Sequence, residues 1–263
     1  MRQTTPTVYM IAETMIRWQD LRAYLQDIEA GDFKASAETE KLEPWGDALT
    51  EIAGRLCYRS WRPGMNANVT KVRQGSREYI GNVLKQRHGS VFEHASVSFI
   101  FHNVSRVFTH ELVRHRAGCA ISQESLRYVR LTDIGFRMPP CFQSDPELMD
   151  RATSLVGAME AFQLWMANRF DLDGSKDFPF KKAITSAMRR LAPLGLSTGI
   201  MWTANHRTLR HVIVQRTAEG AEEEIRLVFD QVAQLMKERF PSIYQDFTRK
   251  DNNGTWFAEN EKV

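Results

Sequence analysis

Hydrophobic residues recur along the chain with two periods, and these periods predict where strands and helices lie. Apolar and polar residues alternate over 95–104 (ASVSFIFHNV), the pattern of a half-buried strand, and the segments 7–16 and 195–205 are rich in residues that favour strands. Apolar residues spaced three and four apart indicate amphipathic helices elsewhere. Those helices are expected over 18–28, 45–58, 68–86, 104–116, 146–170, 180–193, 206–216 and 221–240.

Local signals refine these predictions at three places. Asn68 is a candidate N-cap for the helix over 68–86, because an asparagine side chain accepts hydrogen bonds from the first N–H groups of a helix. The helix over 180–193 is expected to stop at Pro193, since proline does not continue a helix. The segment 124–131 (ESLRYVRL) is expected to be extended.

The order of the elements predicts the fold class. Strands and helices follow one another without the regular strand–helix–strand spacing of a doubly wound sheet, which favours the α+β class. No internal repeat and no low-complexity linker divides the sequence, so we expect a single domain spanning residues 1–263. A chain of 263 residues is long enough to bury a sizeable core.

Composition excludes several classes of protein. Hydrophobic residues make up 43% and charged residues 25% of the chain, and the net charge of +3 does not require a nucleic-acid partner. The three cysteines, Cys57, Cys119 and Cys141, form no CxxC motif, which argues against a disulfide framework and fits a reducing cytoplasm. No apolar run approaches the ~20 residues of a membrane span, and the N-terminus lacks a secretion signal, so we expect a cytoplasmic protein.

The stretch HELVRH, from His110 to His115, looks like a zinc-protease helix, but its spacing does not fit. That helix places two histidines four positions apart on one face. His110 and His115 are five positions apart, which is roughly 140° around a helix, so they do not share a metal ion from one face. We therefore expect no metal site.

Arginines are concentrated in three segments of the chain. The segments contain Arg114, His115, Arg116 and Arg127, then Arg189 and Arg190, and then Arg207, Arg210, His211 and Arg216. Guanidinium groups bind phosphate in a two-pronged fork, so this preference for arginine indicates recognition of an anion. The alternative is that these arginines lie on solvated faces and pair with the plentiful glutamates. The sequence has no glycine-rich phosphate loop of the GxGxxG or GxxxxGK[ST] type, so a dinucleotide would be held by side chains.

The stretch RHRAGCAISQESLRY, which begins at Arg114, resembles the signature of the flavin-dependent thymidylate synthases: an RHR triplet, a spacer, a serine and then Arg–Tyr. Further segments are similar to the same family, namely HGSVFEHASVSF (88–99), SRVFTHELVRHR (105–116), MRRLAPLGLSTGIMWTANHRTLRHVIVQR (188–216) and AEEEIRLVFDQVAQLMKERFPSIYQDF (221–247). The resemblance covers about residues 47–247.

The resemblance implies the fold, the reaction and the cofactors of that family. The fold is a mixed sheet flanked by helices, and the members are homotetramers whose active sites lie between subunits. They methylate C5 of dUMP: methylenetetrahydrofolate supplies the carbon, reduced FAD the hydride, and NADPH reduces the flavin. The partners expected here are therefore a pyrimidine nucleotide and a folate, with no nucleic acid and no membrane.

Roles carry over residue by residue from the matching motifs. The residues expected to contact FAD are Ser90, Arg114, His115, Arg116, Gln123, Asn205, Arg207 and His211. The residues expected to contact the nucleotide are Glu111, Arg114, Glu124, Ser125, Leu126, Arg127, Arg189 and Arg216. Arg216 matches the catalytic position that polarises the uracil ring, where a fixed cation stabilises the negative charge that makes C5 nucleophilic. Ser125 is expected to bind rather than attack, because an unassisted serine is a poor nucleophile.

The sequence departs from the family pattern at four places. Eight residues, rather than seven, separate Arg116 from Ser125, Glu111 stands where glutamine is common, His211 where asparagine is common, and Gly220 where some members have a histidine. The longer spacer and the carboxylate of Glu111 leave the acceptor open between dUMP, UMP or both.

A different class of function is a non-catalytic nucleic-acid-binding protein. Such a protein would present a basic face with exposed stacking aromatics. The cations of this chain lie instead among serine, asparagine and glutamine, and its aromatics recur at core spacing, so the enzyme is the preferred interpretation.

Overall fold

The computed structural model describes residues 1–35, 44–131, 133–250 and 254–263. The chain forms two compact units, each assembled from separate stretches. The first unit comprises Met1–Tyr9, Ile100–Arg114 and Ile121–Trp202, and the second comprises Met10–Phe99, His115–Ala120 and Thr203–Val263. The expectation of a single domain over 1–263 includes 36–43, 132 and 251–253, which lie outside the described residues, and it stays a prediction.

Strands and helices alternate irregularly along the described chain. The strands are β1 (Arg2–Gln3), β2 (Thr7–Glu13), β3 (Ser96–Ser105), β4 (Cys119–Gln123), β5 (Gly135–Phe136), β6 (Ser197–Asn205), β7 (Phe247–Arg249) and β8 (Trp256–Ala258). The helices are α1 (Trp18–Asp27), α2 (Trp45–Tyr58), α3 (Ser76–Lys85), α4 (Arg106–Leu112), α5 (Pro140–Gln143), α6 (Pro146–Arg169), α7 (Phe178–Met188), α8 (His206–Thr217) and α9 (Glu223–Arg239). The segments Gly89–Glu93 and Arg189–Leu191 are short 3₁₀ helices.

Strands β2, β3, β6 and β4 form a sheet in that order, so β3 and β6 are its inner strands. Two-stranded sheets also form, β1 with β5 in parallel and β7 with β8 antiparallel. On β3, Val97, Phe99 and Phe101 are at most 1% exposed, whereas Ser98 and His102 keep contact with solvent. This period of two is the one that the sequence predicts. A sheet combined with helices that do not alternate regularly with its strands confirms the α+β class.

In the second unit, α8 is held by its apolar side. Leu209, Val212 and Ile213 are fully buried, at the three- and four-residue spacing of an amphipathic helix, and α8 packs against α9. Removal of this apolar surface from water is the main force that holds the helix in place. Arg207 and His211 are consequently left on the exposed side of α8.

Arg210 also lies on the buried side of α8, where its charge is paired. It is 1% exposed, and its terminal nitrogens donate to both carboxylate oxygens of Asp246 at 2.8 and 3.0 Å. Its Nη1 also donates to the carbonyl of Ile243 at 2.7 Å, and the guanidinium lies 4.8 Å from the centre of the Phe247 ring. Burial is the largest single influence and acts to raise the pKa of Asp246, but the hydrogen bonds and charge of Arg210 together with the hydrogen bonds from Asn260 outweigh it, and the net shift is downward. Arg210 is therefore a structural residue, and its grouping with the anion-binding arginines was wrong.

The helix predicted over 68–86 is shorter than its hydrophobic pattern indicates. It begins at Ser76, directly after Gly75, whose φ of 75° lies in the left-handed region that favours glycine. Asn68 is therefore not the helix cap, and its backbone N–H donates instead to Oδ1 of Asn66 at 3.0 Å. The apolar residues before Ser76 continue the hydrophobic spacing of the helix, although the chain there is not helical.

The boundaries around the signature also differ from the prediction. Helix α4 ends at Leu112, so the RHR triplet lies beyond the helix and not on it. The segment 124–131 is not extended, because the strand lies earlier, at β4, and the chain then turns. The turn begins at Ser125, whose carbonyl accepts the N–H groups of Tyr128 and Val129 at 3.0 Å each.

Replacing Arg210 by alanine should lower the free energy of unfolding by about 3–5 kcal/mol, because Asp246 would be left as an unpaired buried charge. Replacing Arg207 is the matched control, since its ion pair with Glu93 is exposed and Arg207→Ala should cost about 1 kcal/mol or less. Urea unfolding of the flavin-free proteins measures both changes. Equal losses in the two variants would contradict the structural role of Arg210.

Candidate active site

A cavity of about 470 Å³ opens in the first unit and collects many of the predicted substrate residues. Its lining comprises Arg106, His110, Gln123, Glu124, Ser125, Leu126, Arg189, Arg190, Ala192, Pro193 and Leu194. The sequence predicted Glu124, Ser125, Leu126 and Arg189 as nucleotide contacts and Gln123 as a flavin contact. Three arginines in one cavity make it suited to an anionic ligand.

The chain directly after β4 forms one wall of this cavity. The N–H of Glu124 donates to the carbonyl of Gly199 at 3.0 Å, and its Oε2 accepts from the hydroxyl of Thr198 at 3.3 Å. Any side chain at Gly199 would meet Oε1 of Glu124 at 2.9 Å, so glycine leaves the room that this carboxylate occupies. Oγ of Ser125 accepts from the N–H of Arg127 at 3.3 Å, which helps to shape the turn. The wall is therefore set by backbone pairing and by the turn together.

Arg106 is a lining residue that the sequence analysis missed. It is the first residue of α4, directly after the cap Ser105, and its Nη2 donates to the carbonyl of Glu124 at 2.9 Å. Its Nε is buried and has no hydrogen-bond partner among the described residues. Burial lowers the pKa of Arg106, Glu124 opposes this shift, and the nearby Arg189 adds to it. An anion in the cavity would accept a hydrogen bond from Nε of Arg106 and would lie between two cations, Arg106 and Arg189. The signal in the sequence was an arginine that opens the helix leading to the signature.

The second unit brings three other predicted residues together. Nε of Arg216 donates to Nε2 of His115 at 2.7 Å. The rings of His115 and His211 meet edge to face, with 6.4 Å between their centres. The expected catalytic arginine and two expected flavin contacts therefore form one cluster.

The loop that follows the RHR triplet is fastened to the N-terminus of α8. The N–H of Asn205 donates to the carbonyl of Gly118 at 3.0 Å, and the hydroxyl of Thr208 donates to the carbonyl of Ala117 at 2.8 Å. Oδ1 of Asn205 caps the helix by accepting from the N–H of Thr208 at 2.9 Å. Gly118 has a φ of 67°, and a Cβ there would lie 2.4 Å from Oγ1 of Thr208 and 2.5 Å from Nδ2 of Asn205. The lengthened spacer thus makes a left-handed turn that only glycine fits.

Arg207 and Ser90 lie at a second donor-rich place in the same unit. The Arg207 guanidinium covers Gly89, where a Cβ would come within 2.9 Å of Nε, and Ser90 follows on the exposed side. Nη1 of Arg207 is 2.5 Å from a carboxylate oxygen of Glu93. Guanidinium, hydroxyl and backbone N–H groups suit the pyrophosphate of a dinucleotide, so the residues present fit FAD.

The remaining predicted residues take varied positions. Arg114, Arg116 and Arg127 are exposed, and Glu111 on α4 is half-buried. Arg189 and Arg190 both line the cavity of the first unit, although the side chains of adjacent residues point about 100° apart on a regular α-helix. Both residues belong to the 3₁₀ helix Arg189–Leu191 and not to an α-helix.

The described residues contain neither a metal-ligand cluster nor a helix able to span a membrane. Over 1–35, 44–131, 133–250 and 254–263, no three His, Cys, Asp or Glu side chains are grouped to hold a metal ion. None of the helices within those ranges combines the length and apolar character needed to cross a membrane. His110 lines the cavity of the first unit.

Comparison with known proteins identifies the family. Residues 41–242 match the family model described as thymidylate synthase complementing protein. The chain belongs to the flavin-dependent thymidylate synthase family. A flavin-dependent thymidylate synthase of Mycolicibacterium gilvum is 36% identical over 208 residues, which cover 77% of this chain and 80% of the relative. The flavin-dependent thymidylate synthase of Mycobacterium avium is 34% identical over 232 residues, covering 85% and 89%.

A solved structure shows that the fold is shared as well. The UMP/dUMP methylase PolB from Streptomyces cacaoi, bound with 5-Br dUMP, superposes with a TM-score of 0.60 at 17% identity, covering 93% of this chain and 96% of PolB. The family and the fold that the sequence indicated are thereby confirmed. Membership of the family makes FAD the cofactor, with NADPH and methylenetetrahydrofolate as co-substrates.

Replacing Gly118 by alanine should weaken FAD binding roughly tenfold or more. The added Cβ would push Thr208 and Asn205 away from the signature loop, and a left-handed φ costs alanine about 1–2 kcal/mol. Gly220→Ala is the control, since a Cβ there meets nothing within 4 Å. Flavin titration of the two apoproteins measures the effect, and unchanged affinity in Gly118→Ala would show that the turn does not shape the flavin site.

Proposed function

We propose that this chain catalyses the reductive C5-methylation of dUMP with Arg216 as the catalytic cation, and that it also accepts UMP. The observation that carries the proposal is the arginine-lined cavity beside Ser125, which suits the phosphate of a small nucleotide. Methylation of dUMP is the activity of the family to which the chain belongs.

The nucleotide phosphate is assigned to the cations of the first-unit cavity. Arg189 lies close enough to lower the pKa of Arg106, and a phosphate between them would relieve the repulsion of two cations. Ser125 and Arg127 add a hydroxyl and a third guanidinium from the turn. The remaining nucleotide contacts proposed from the signature are Glu111, Arg114, Glu124, Leu126 and Arg216.

Binding of FAD is assigned to the donors around the signature and α8. The residues proposed to hold it are Ser90, Arg114, His115, Arg116, Gln123, Asn205, Arg207 and His211. Arg114, Arg116, Arg207 and His211 would contact the pyrophosphate, with contributions from different subunits. FAD, when bound and reduced by NADPH, supplies the hydride that completes the new methyl group.

Arg216 is proposed to act on the pyrimidine ring. C5 attacks the carbon donor only as negative charge builds on the ring, and a cation fixed near N3 and its adjacent carbonyl stabilises that charge. The hydrogen bond to His115 holds Arg216 before any charge develops. Ser125 keeps a binding role, because its Oγ is used as an acceptor for the N–H of Arg127.

The assembly and the compartment are also proposals. A homotetramer with shared active sites is supported by the exposure of Arg114, Arg116 and Arg207, which a second copy would cover. Large apolar side chains on α6 are exposed as well, Leu155 at 60% and Trp165 at 56%. The free thiols of the three cysteines support a cytoplasmic location.

Acceptance of UMP is supported by the carboxylate of Glu111 and by the length of the signature loop. One additional residue gives the chain up to about 3.5 Å more reach, enough room for a ribose 2′-hydroxyl. Glu111 can accept a hydrogen bond from that hydroxyl, whereas a hydroxyl buried without a partner costs about 1–3 kcal/mol. A protein of the same fold, PolB, is described as a UMP/dUMP methylase.

The variant Arg216→Ala should keep its flavin and lose turnover of dUMP by roughly 10²–10³, the usual effect of removing one fixed charge-stabilising donor. Arg207→Ala is the contrasting variant, because it should lose flavin first. Visible absorbance of the purified proteins reports flavin content, and product formation reports turnover. Normal turnover in Arg216→Ala would mean that another group activates the ring.

Wild-type protein should methylate UMP measurably beside dUMP. Glu111→Gln, an isosteric change to the residue common in the family, should lower kcat/KM for UMP more than for dUMP, because the amide accepts less strongly than the carboxylate. Parallel kinetics with both nucleotides measure the ratio. Turnover of dUMP without turnover or competition by UMP would refute the dual specificity.

A further inference from the structure

The hydrogen bond between Arg216 and His115 has a direction that is fixed by chemistry. Nε of Arg216 and Nε2 of His115 are 2.7 Å apart, and both side chains are half-buried. A guanidinium has only N–H donors and keeps its charge throughout the ordinary pH range, so Nε2 has to accept. His115 is consequently neutral in this arrangement and carries its single ring proton on Nδ1.

We propose that His115 is a positioning residue for Arg216, and that it acts through this one tautomer. The inference rests on the proposed function, in which Arg216 stabilises charge on the pyrimidine ring. An arginine side chain loses about 1.5–2 kcal/mol of rotamer entropy when it is fixed, so holding it before the substrate arrives removes that cost from the reaction. The bond to Nε orients the plane of the guanidinium and therefore the direction of its two terminal nitrogens.

His115 is itself held in place by its surroundings. The thiol of Cys119 donates to the carbonyl of His115 at 2.8 Å, and the ring of His211 packs against the imidazole edge to face. Two residues further along, the carbonyl of Ala117 accepts from the hydroxyl of Thr208. The acceptor of the Arg216 bond is thus fixed relative to α8, the helix that also carries Arg216.

A pair of substitutions separates positioning from a simple flavin contact. The amide oxygen of glutamine reaches about as far as Nε2 of histidine and can accept there, whereas asparagine reaches only about as far as Nδ1. His115→Asn should lower kcat for dUMP roughly tenfold or more and leave KM little changed. This factor corresponds to the free energy that a hydrogen bond to a charged group usually contributes. His115→Gln should recover a large part of that loss in protein that retains its flavin, because its amide oxygen restores the acceptor for Nε of Arg216. Equal losses in both variants, or no loss in either, would overturn the proposal.

A double-mutant cycle with Arg216→Ala tests whether His115 acts through Arg216. If it does, His115→Asn adds little to the loss already caused by Arg216→Ala, because alanine has no side-chain donor for His115. Losses that multiply would show that His115 contributes on its own, as a flavin contact would. Flavin absorbance, recorded for each variant, shows whether cofactor loss accounts for any change.

Nitrogen-15 spectra of the histidine side chains test the contact without turnover. Wild-type His115 should show a protonated Nδ1 and an unprotonated Nε2, assigned from the signals that disappear in His115→Gln. In Arg216→Ala this preference should be lost. A protonated Nε2 in the wild type would refute the contact. A protein that shows the expected tautomer but does not methylate dUMP would instead refute the proposed function.

Discussion

The attachment of the signature loop to the first turn of α8 is the constraint on which the candidate site depends. The carbonyls of Ala117 and Gly118 accept hydrogen bonds from Thr208 and Asn205, so the residues after the RHR triplet follow the position of the helix. The helix is in turn fixed by its fully buried apolar side. Burial of the apolar side of α8 therefore fixes the position of the exposed signature loop. Through this loop, α8 connects the hydrophobic core with His115.

The sequence indicated that the clustered arginines bind an anion, but it did not indicate which arginines bind a ligand and which stabilise the fold. Arg207 and Arg210 are three positions apart on one helix, and one is exposed while the other is 1% exposed and bound to Asp246. Asp246 lies far along the chain, and no local pattern connects it with Arg210. Arg106 was missed for a related reason, because its importance arises from a buried Nε and from its neighbour Arg189, both of which appear only in the folded chain.

Elements whose patterns are local were predicted well. Helix α2, Trp45–Tyr58, has the predicted ends, and β6 lies within the predicted segment 195–205. The errors occur where a local turn interrupts the hydrophobic period. Gly75 stops the backward extension of α3, and the turn at Ser125 replaces an expected extended segment. The candidate site is built largely from such interruptions, so its residue types followed from the signature and its geometry did not.

The central claim is that this chain transfers a one-carbon unit to C5 of dUMP, and isotope transfer tests it most directly. Flavin-loaded protein is incubated with dUMP, NADPH and methylenetetrahydrofolate carrying ¹³C in its methylene group. The account predicts ¹³C in the C5 methyl group of dTMP, in amounts that depend on NADPH. Recovery of unlabelled dUMP alone, from protein that retains its flavin, would contradict the account.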